Sequence, residues 1–523
     1  MLLGDILARH SRVMPAKVAL ICGEDRVTWG ELEQRTTKLA QGLLQAGFRR
    51  GDKIAIVLRN RIEYLETLYA LAKAGMVAVI PNSKLSAAEL CHLLNEAEAL
   101  AVVTEPSFDA KVAEMRPGFR TIETIIGVDG AGGAERELGE LRARAPEGPL
   151  PYRPNENDHL LLPFTSGTTG LPKGVILTHK NACAGAMTQL IAKGFRADDL
   201  GFLVSPLFFV GPLCGSVGAL MLRGCTLILL DFEVQRLLET IQRHGATTGS
   251  LVPSILRRVV LHPAVGRYNL GSLRSVFTSG SPVPLDMLRH ALEVLGPKIQ
   301  TGMGMTETSS NGALLTEEEV VEATRQRGPD APSLCAIGAP MCGMEATLLK
   351  DSGEEIPFGS DEVGEIALRG DSVMVGYWKQ PEATAEVLSP DGWLRSGDLA
   401  FRDARGWLHI VDRKKDIIIS GGINITPSEI EMCLAEHEAV DEAVVIGVPD
   451  ERWGETIKAI VVRKPGAHCT AEDLIDFCRR RLASYKKPTS VDFTDELPRS
   501  ATGKVLKRTL RERYWGSRRE QVS

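Results

Sequence analysis

The residues richest in chemistry lie in one short run, Leu162-Pro-Phe-Thr165-Ser166-Gly167-Thr168-Thr169-Gly170-Leu-Pro-Lys173-Gly174. Hydroxyls, glycines and a lysine are packed together there. Glycines let backbone amides come close to a phosphate, hydroxyls donate to it, and a lysine adds charge. The bland alternative is a polar glycine-rich turn that holds nothing. The run is not a Walker A loop, because that pattern needs Ser or Thr after its lysine and Lys173 is followed by Gly174.

The elements around this run must position it. Thr28-Trp-Gly-Glu31 predicts a capping box at the start of a helix that runs to Gly47. Lys53 to Leu58 reads as a buried strand, a second helix ends at Gly75, and Met76 to Ile80 is the next strand. Ser86 to Glu89 caps another helix, followed by a strand from Ala101 to Val103. This alternation argues for layered, largely parallel α/β structure. Residues 106–158 read as a surface excursion rich in Gly, Pro and charge. From about residue 360 the pattern shifts to short antiparallel strands, Val363 to Arg369 and Trp407 to Val411. A charged run, Asp412-Arg413-Lys414-Lys415-Asp416, then leads into a small α+β region.

Composition excludes some classes. The chain has 523 residues, so more than one domain is expected. Its formal net charge is −6, which gives no support to nucleic-acid binding or to docking on an anionic membrane. The 10 cysteines have no C-x-x-C spacing, which reads as reduced thiols in a cytoplasm. Leu200 to Leu222 is free of charge, but Pro206, Gly211, Pro212, Gly215 and Gly218 interrupt it. A strand, a turn and a buried helix explain it better than a membrane span. No secretory signal is evident at the start.

The run from Thr165 to Gly174 resembles the phosphate loop of the adenylate-forming superfamily, which includes the acyl-CoA synthetases. Further motifs follow in that family's order. Met303-Gly304-Met-Thr306-Glu307 resembles Y-G-x-T-E, Gly392 to Asp398 resembles G-W-x-x-T-G-D, Asp412 to Asp416 resembles G-R-x-x-D, and Pro498 to Lys504 resembles P-x-x-x-x-G-K. The resemblance implies a large N-terminal domain of layered α/β subdomains with a small β-barrel-like part, residues 1–412. It implies a hinge at 413–415 and a small mobile α+β C-terminal domain, residues 416–523.

It also implies roles. Thr165, Ser166, Gly167, Thr168, Thr169, Gly170 and Lys173 would hold the β- and γ-phosphates of ATP. Thr306 would bind the α-phosphate, and Glu307 would help hold Mg²⁺. Asp398 and Arg413 would meet the ribose, and Ser279, Gly280, Ser281, Met303 and Gly304 would line the nucleotide site. Lys504 would bridge the acid's carboxylate and the α-phosphate. Lys415 matches the hinge, Phe208, Phe209 and Gly302 the acyl pocket, and Gly421, Gly422 and Lys487 the coenzyme A tunnel.

Two positions depart from the family pattern. Met303 stands where an aromatic residue usually stacks on adenine, and a thioether still packs well on an aromatic face. Phe209 stands where many relatives have His and where amino-acid-activating domains have a nearby Asp. This points to a hydrophobic acid: fatty, alicyclic or aryl. The reaction implied is ATP-dependent formation of an acyl-adenylate with release of pyrophosphate, then acyl transfer to coenzyme A. The segment between Gly364 and Gly422 shows no insertion of the kind found in ligases that load carrier proteins. The alternatives are an acyl-AMP ligase that serves a carrier protein or partner enzyme, and a silent nucleotide-binding relative. The partners expected are the acid and its thiol acceptor, with no nucleic acid and no stable membrane span, and a homodimer is the oligomer to consider.

Overall fold

Uninterrupted apolar runs become parallel strands covered on both faces, as their composition requires. Lys53–Val57 pairs in parallel with Val77–Ile80 on one side and Ala101–Thr104 on the other, and nearly every residue of the three is buried. The computed structural model describes residues 1–165, 172–281, 283–325, 335–360, 362–499 and 505–515. The chain divides into two compact units, residues 1–346 with 368–394, and residues 347–367 with 395–523.

The first unit is built on two large sheets. One has the order Gly376–Tyr377, Lys173–Thr178, His159–Thr165, Val77–Ile80, Lys53–Val57, Ala101–Thr104, Thr124–Gly127 and Arg136–Glu137. The other runs from Ala339–Pro340 through Gly312–Leu315, Ile299–Gly304, Ser275–Ser279, Thr248–Ser250, Leu200–Leu203, Thr226–Leu229 and Val18–Cys22 to Asp25–Thr28. Its central strands are parallel, and antiparallel strands close both edges.

Helix ends follow their sequence signals. Thr28 Oγ1 accepts from the Glu31 amide at 3.2 Å and Glu31 accepts from the Thr28 amide at 2.8 Å, which closes the capping box of Trp29–Gln45. Gly75 ends Ile62–Ala74 in the left-handed region at φ +65°. The uncharged stretch resolves into the strand Leu200–Leu203, a π-helical segment Gly211–Val217 and the helix Gly218–Arg223. Among the described residues no helix is long and apolar enough to cross a membrane.

Residues 106–158 depart from expectation. They are not only a surface excursion: Asp109–Met115 is helical, and Thr124–Gly127 adds a strand whose Ile125 and Ile126 are buried. Ile125, Met115 and Val112 pack into the core beneath the sheet. The Gly, Pro and charge of the flanking turns mask this short apolar strand in sequence.

The second unit carries the antiparallel pair Leu394–Arg402 and Leu408–Arg413, within a four-stranded sheet completed by Glu345–Leu349 and Gly364–Arg369. A five-stranded sheet follows, centred on the hairpin Val440–Asp450 and Gly454–Arg463. The helices Pro427–Ala435 and Ala471–Arg479 cover it, through Ile430, Leu434, Leu474 and Cys478. Thr470 caps the second of these by accepting from the Asp473 amide at 3.1 Å.

Candidate active site

The glycine-rich run spans a hairpin. Thr165 ends one strand, Lys173 begins the next, and the two stand opposite each other in antiparallel register. The predicted Ser166, Gly167, Thr168, Thr169 and Gly170 lie outside the described residues, and so does Lys504. From the base of the loop the Lys173 Nζ lies over the Tyr377 ring, 4.8 Å from its centroid. Tyr377 pairs with Val175 on the neighbouring strand. Its hydroxyl donates to Glu307 Oε1 at 3.0 Å. Burial and the Glu307 charge both push the phenol well above its ordinary pKa, so it stays a donor. Lysine, tyrosine and a buried glutamate are thus linked in one chain of contacts.

Glu307 and Thr306 sit in a one-turn helix, Thr306–Thr308, just past the strand Ile299–Gly304. The Glu307 carbonyl accepts from the Met374 amide at 2.7 Å. Ser309 and Ser310 follow with φ of +51° and +71°, a left-handed pair that non-glycine residues adopt only when held there. The hold is visible. Gln189 Nε2 donates to the Ser310 carbonyl at 2.7 Å and to Asn311 Oδ1 at 3.1 Å, and Asn311 Nδ2 donates to the Thr308 carbonyl at 3.2 Å. Gly304 is required by close approach: a Cβ there would stand 2.3 Å from the Ser310 carbonyl oxygen. Gly302 is equally crowded, with Ala313 O at 2.3 Å from any added Cβ.

Gly302 pairs with Ser279 in parallel register, and Gly280 follows Ser279 at φ +97°. Ser281 is half-buried and Met303 is buried. Phe208 is buried and Phe209 half-buried, with ring centroids 4.4 Å apart. The π-helical segment begins two residues later. Such segments are rare and often mark functional sites.

In the second unit Asp398 and Arg413 face each other across an antiparallel pair, and Arg413 Nε meets Asp398 Oδ1 at 2.8 Å. Lys415 lies in the one-turn helix Lys414–Asp416, and burial pulls its pKa below the usual lysine range. Gly421 and Gly422 form the two-residue turn between Ile418–Ser420 and Ile423–Ile425, at φ +57° and +80°. Both positive values are what such a hairpin turn demands, and a Cβ on Gly421 would also meet the Trp453 ring at 2.7 Å. Lys487 is half-buried beside Lys486, whose Nζ is held by Glu429 at 2.7 Å.

Three contributors were not read from the sequence: Tyr377, Gln189 and Asn311. Each reaches its partner from a distant segment, and none stands in a motif that would single it out. Among the described residues no cluster of three or more His, Cys, Asp and Glu side chains is placed to hold a metal ion.

Comparison with known proteins shows the family. The family pattern described as AMP-binding enzyme matches residues 7–378, and that of the AMP-binding enzyme C-terminal domain matches residues 429–504. A feruloyl-CoA synthase from an Amycolatopsis species is 38% identical over 98% of this chain and 99% of its own. The fatty acid–[acyl-carrier-protein] ligase ScoC of Streptomyces coeruleorubidus is 33% identical over 98% of this chain and 96% of its own. The solved structure of o-succinylbenzoate CoA synthetase, MenE, from Bacillus subtilis in complex with its acyl-adenylate intermediate matches with a TM-score of 0.83 at 31% identity, covering 97% of each chain. The chain belongs to the AMP-binding enzymes, the adenylate-forming ligases whose family reaction makes an acyl-adenylate with ATP and then passes the acyl group to coenzyme A.

Proposed function

We propose that this chain activates a hydrophobic carboxylic acid, with an aryl acid favoured among the fatty, alicyclic and aryl classes, and transfers it to coenzyme A. The observation that carries the adenylation reading is the linked set Lys173, Tyr377 and Glu307 at the base of the glycine-rich hairpin. It puts a cation and a buried carboxylate on the same tyrosine, at the strand that follows the glycine-rich run, which suits the phosphates and counter-ion of a nucleoside triphosphate.

In the first step the acid's carboxylate oxygen attacks the α-phosphorus of ATP, the new P–O bond forms, and pyrophosphate leaves. Both reactants are anions, so the work is positioning and charge neutralisation. Lys173 and the loop hydroxyls serve the β- and γ-phosphates, Thr306 the α-phosphate, and Lys504 the carboxylate. Asp398 and Arg413 serve the ribose. Magnesium fits the donor set: it binds through one or two carboxylates together with substrate phosphates, and Glu307 supplies one. When bound it would neutralise phosphate charge. Tyr377 keeps the Glu307 carboxylate aimed by donating to it.

In the second step a thiolate attacks the acyl carbon, the thioester forms and AMP leaves. Domain rotation about Lys415 would exchange the two steps, and the Gly421-Gly422 turn would admit the pantetheine arm. The feruloyl-CoA synthase and MenE relatives favour an aryl acid and coenzyme A, while the ScoC relative motivates a carrier protein as the other acceptor. The 10 cysteines, all unpaired, suit a reducing cytoplasm.

The test is incubation of the purified chain with ATP, Mg²⁺, coenzyme A and a panel of acids, with products read by mass spectrometry. AMP and an aryl thioester in equal amounts are expected. AMP-ester without thioester would transfer the acceptor role to a carrier protein, and no AMP with any acid would refute the reading.

A further inference from the structure

Lys193 caps the helix His179–Ala192, and its side chain turns inward. It is 2% exposed, which is exceptional for a lysine. Its Nζ lies 3.7 Å from the centroid of the Phe277 ring and 3.3 Å from Ser216 Oγ. Ser216 in turn shares a 2.6 Å hydrogen bond with Ser250. Among the described residues no carboxylate forms an ion pair with Lys193. Burial alone pushes its pKa down to about 7. An ammonium has three donors, and here one weak hydroxyl contact and the faces of two rings, Phe277 and, at 5.9 Å, Phe195, are what meet it. Burying a charge without a counter-charge is costly, so the group needs either a structural purpose or a ligand.

Its position favours a ligand. Phe277 and Ser279 are two apart on one strand, so their side chains share a face. In register they stand beside Gln300 and Gly302. Gln300 Nε2 donates to the Lys193 carbonyl at 3.4 Å, which places this face of the sheet against Lys193. Ser279 and Gly302 are the positions assigned to the nucleotide site and the acyl pocket. Phe277, whose ring meets the ammonium, therefore lies one strand repeat, about 6.6 Å, from that level. That depth matches one aromatic ring. Ser216 belongs to the π-helical segment that follows Phe208 and Phe209, the other pocket residues.

We infer that Lys193, with Ser216 and Ser250, recognises an oxygen at the far end of the acid, a phenolic hydroxyl or a second carboxylate. The substrate is then polar at its tip, and the pocket that Phe209 marks as apolar is apolar only along its walls. The inference rests on the adenylation reading above.

The experiment measures acid-dependent ATP–pyrophosphate exchange for matched pairs: cinnamate against para-hydroxycinnamate, and heptanoate against heptanedioate. The wild-type chain is expected to favour a tipped acid by roughly tenfold or more in kcat/KM, as a hydrogen bond to a buried charged group allows. Lys193→Met should bring that ratio near one, and Lys193→Gln serves the same comparison if the methionine variant does not fold. A lysine that only braced the core would lower both members of a pair alike and leave the ratio standing. Which pair shows the preference separates the phenol from the dicarboxylate. Equal rates for plain and tipped acids in the wild type, or a ratio that survives both substitutions, would overturn the inference while leaving adenylation intact. No exchange with any acid would instead refute adenylation, and this inference with it.

Discussion

Replacing Tyr377 with Phe removes one oxygen from the centre of the site and nothing else. The lost contact is the 3.0 Å hydrogen bond to Glu307 Oε1. A hydrogen bond to a charged group contributes about 1.5–3 kcal/mol, equivalent to roughly tenfold to a hundredfold in rate if it is fully expressed in the transition state. Glu307 has further interactions, so the lower part of that range is expected. The phenylalanine ring keeps its place under Lys173 Nζ, 4.8 Å away in the wild type. Tyr377→Leu removes that as well, and a cation–π contact of about 0.5–2 kcal/mol predicts a further drop of roughly twofold to thirtyfold. The assay is initial-rate pyrophosphate exchange titrated with MgCl₂, with melting temperature as a check on folding. Tyr377→Phe should lower kcat and raise the Mg²⁺ concentration needed for half-maximal rate. Wild-type kcat and Mg²⁺ dependence in a folded Tyr377→Phe chain would refute the claim that the tyrosine aims the carboxylate.

Two further outcomes are expected. Asp398→Ala should raise KM for ATP by roughly tenfold to a hundredfold, because it strips both the proposed ribose acceptor and the partner of Arg413 from the second unit. Unchanged KM would move the ribose contact elsewhere. His179 is fully buried and accepts from the Leu3 amide at 3.2 Å through Nδ1, and burial lowers its pKa to about 4 from 6.5. Its neutral form is favoured by folding, so its contribution is complete above the unfolded pKa near 6.5 and is lost as pH falls toward the folded value. At about 1.4 kcal/mol for each pKa unit the loss reaches a few kcal/mol at most. Melting temperature should fall more steeply between pH 6.5 and pH 4 in the wild type than in His179→Gln; parallel curves would contradict this.

The helix caps and the buried strands were legible because their signals are local. Thr28 with Glu31, Gly75 and the buried strands from Lys53 and Val77 carry their own signals, and the structure places them where those signals point. The linked site was legible only in part. Lys173 and Glu307 stand in motifs, but Tyr377 joins them from a two-residue edge strand that no local pattern announces. Gln189 and Asn311 hold the left-handed serine pair from positions that read as ordinary helix and loop. Lys193 is the plainest case. At the end of a helix and before Gly194, a lysine reads as a solvated residue that complements the helix dipole. Only the packing of the helix end over Phe277 turns it inward.

The most direct test of the account is acid-dependent exchange of labelled pyrophosphate into ATP with coenzyme A left out, run on the wild type beside Glu307→Gln and Lys504→Ala. Exchange that needs both ATP and an aryl acid, and that falls at least a hundredfold in both variants, is the predicted result. Exchange that persists in either variant, or a wild type that binds ATP and exchanges with no acid, would contradict it.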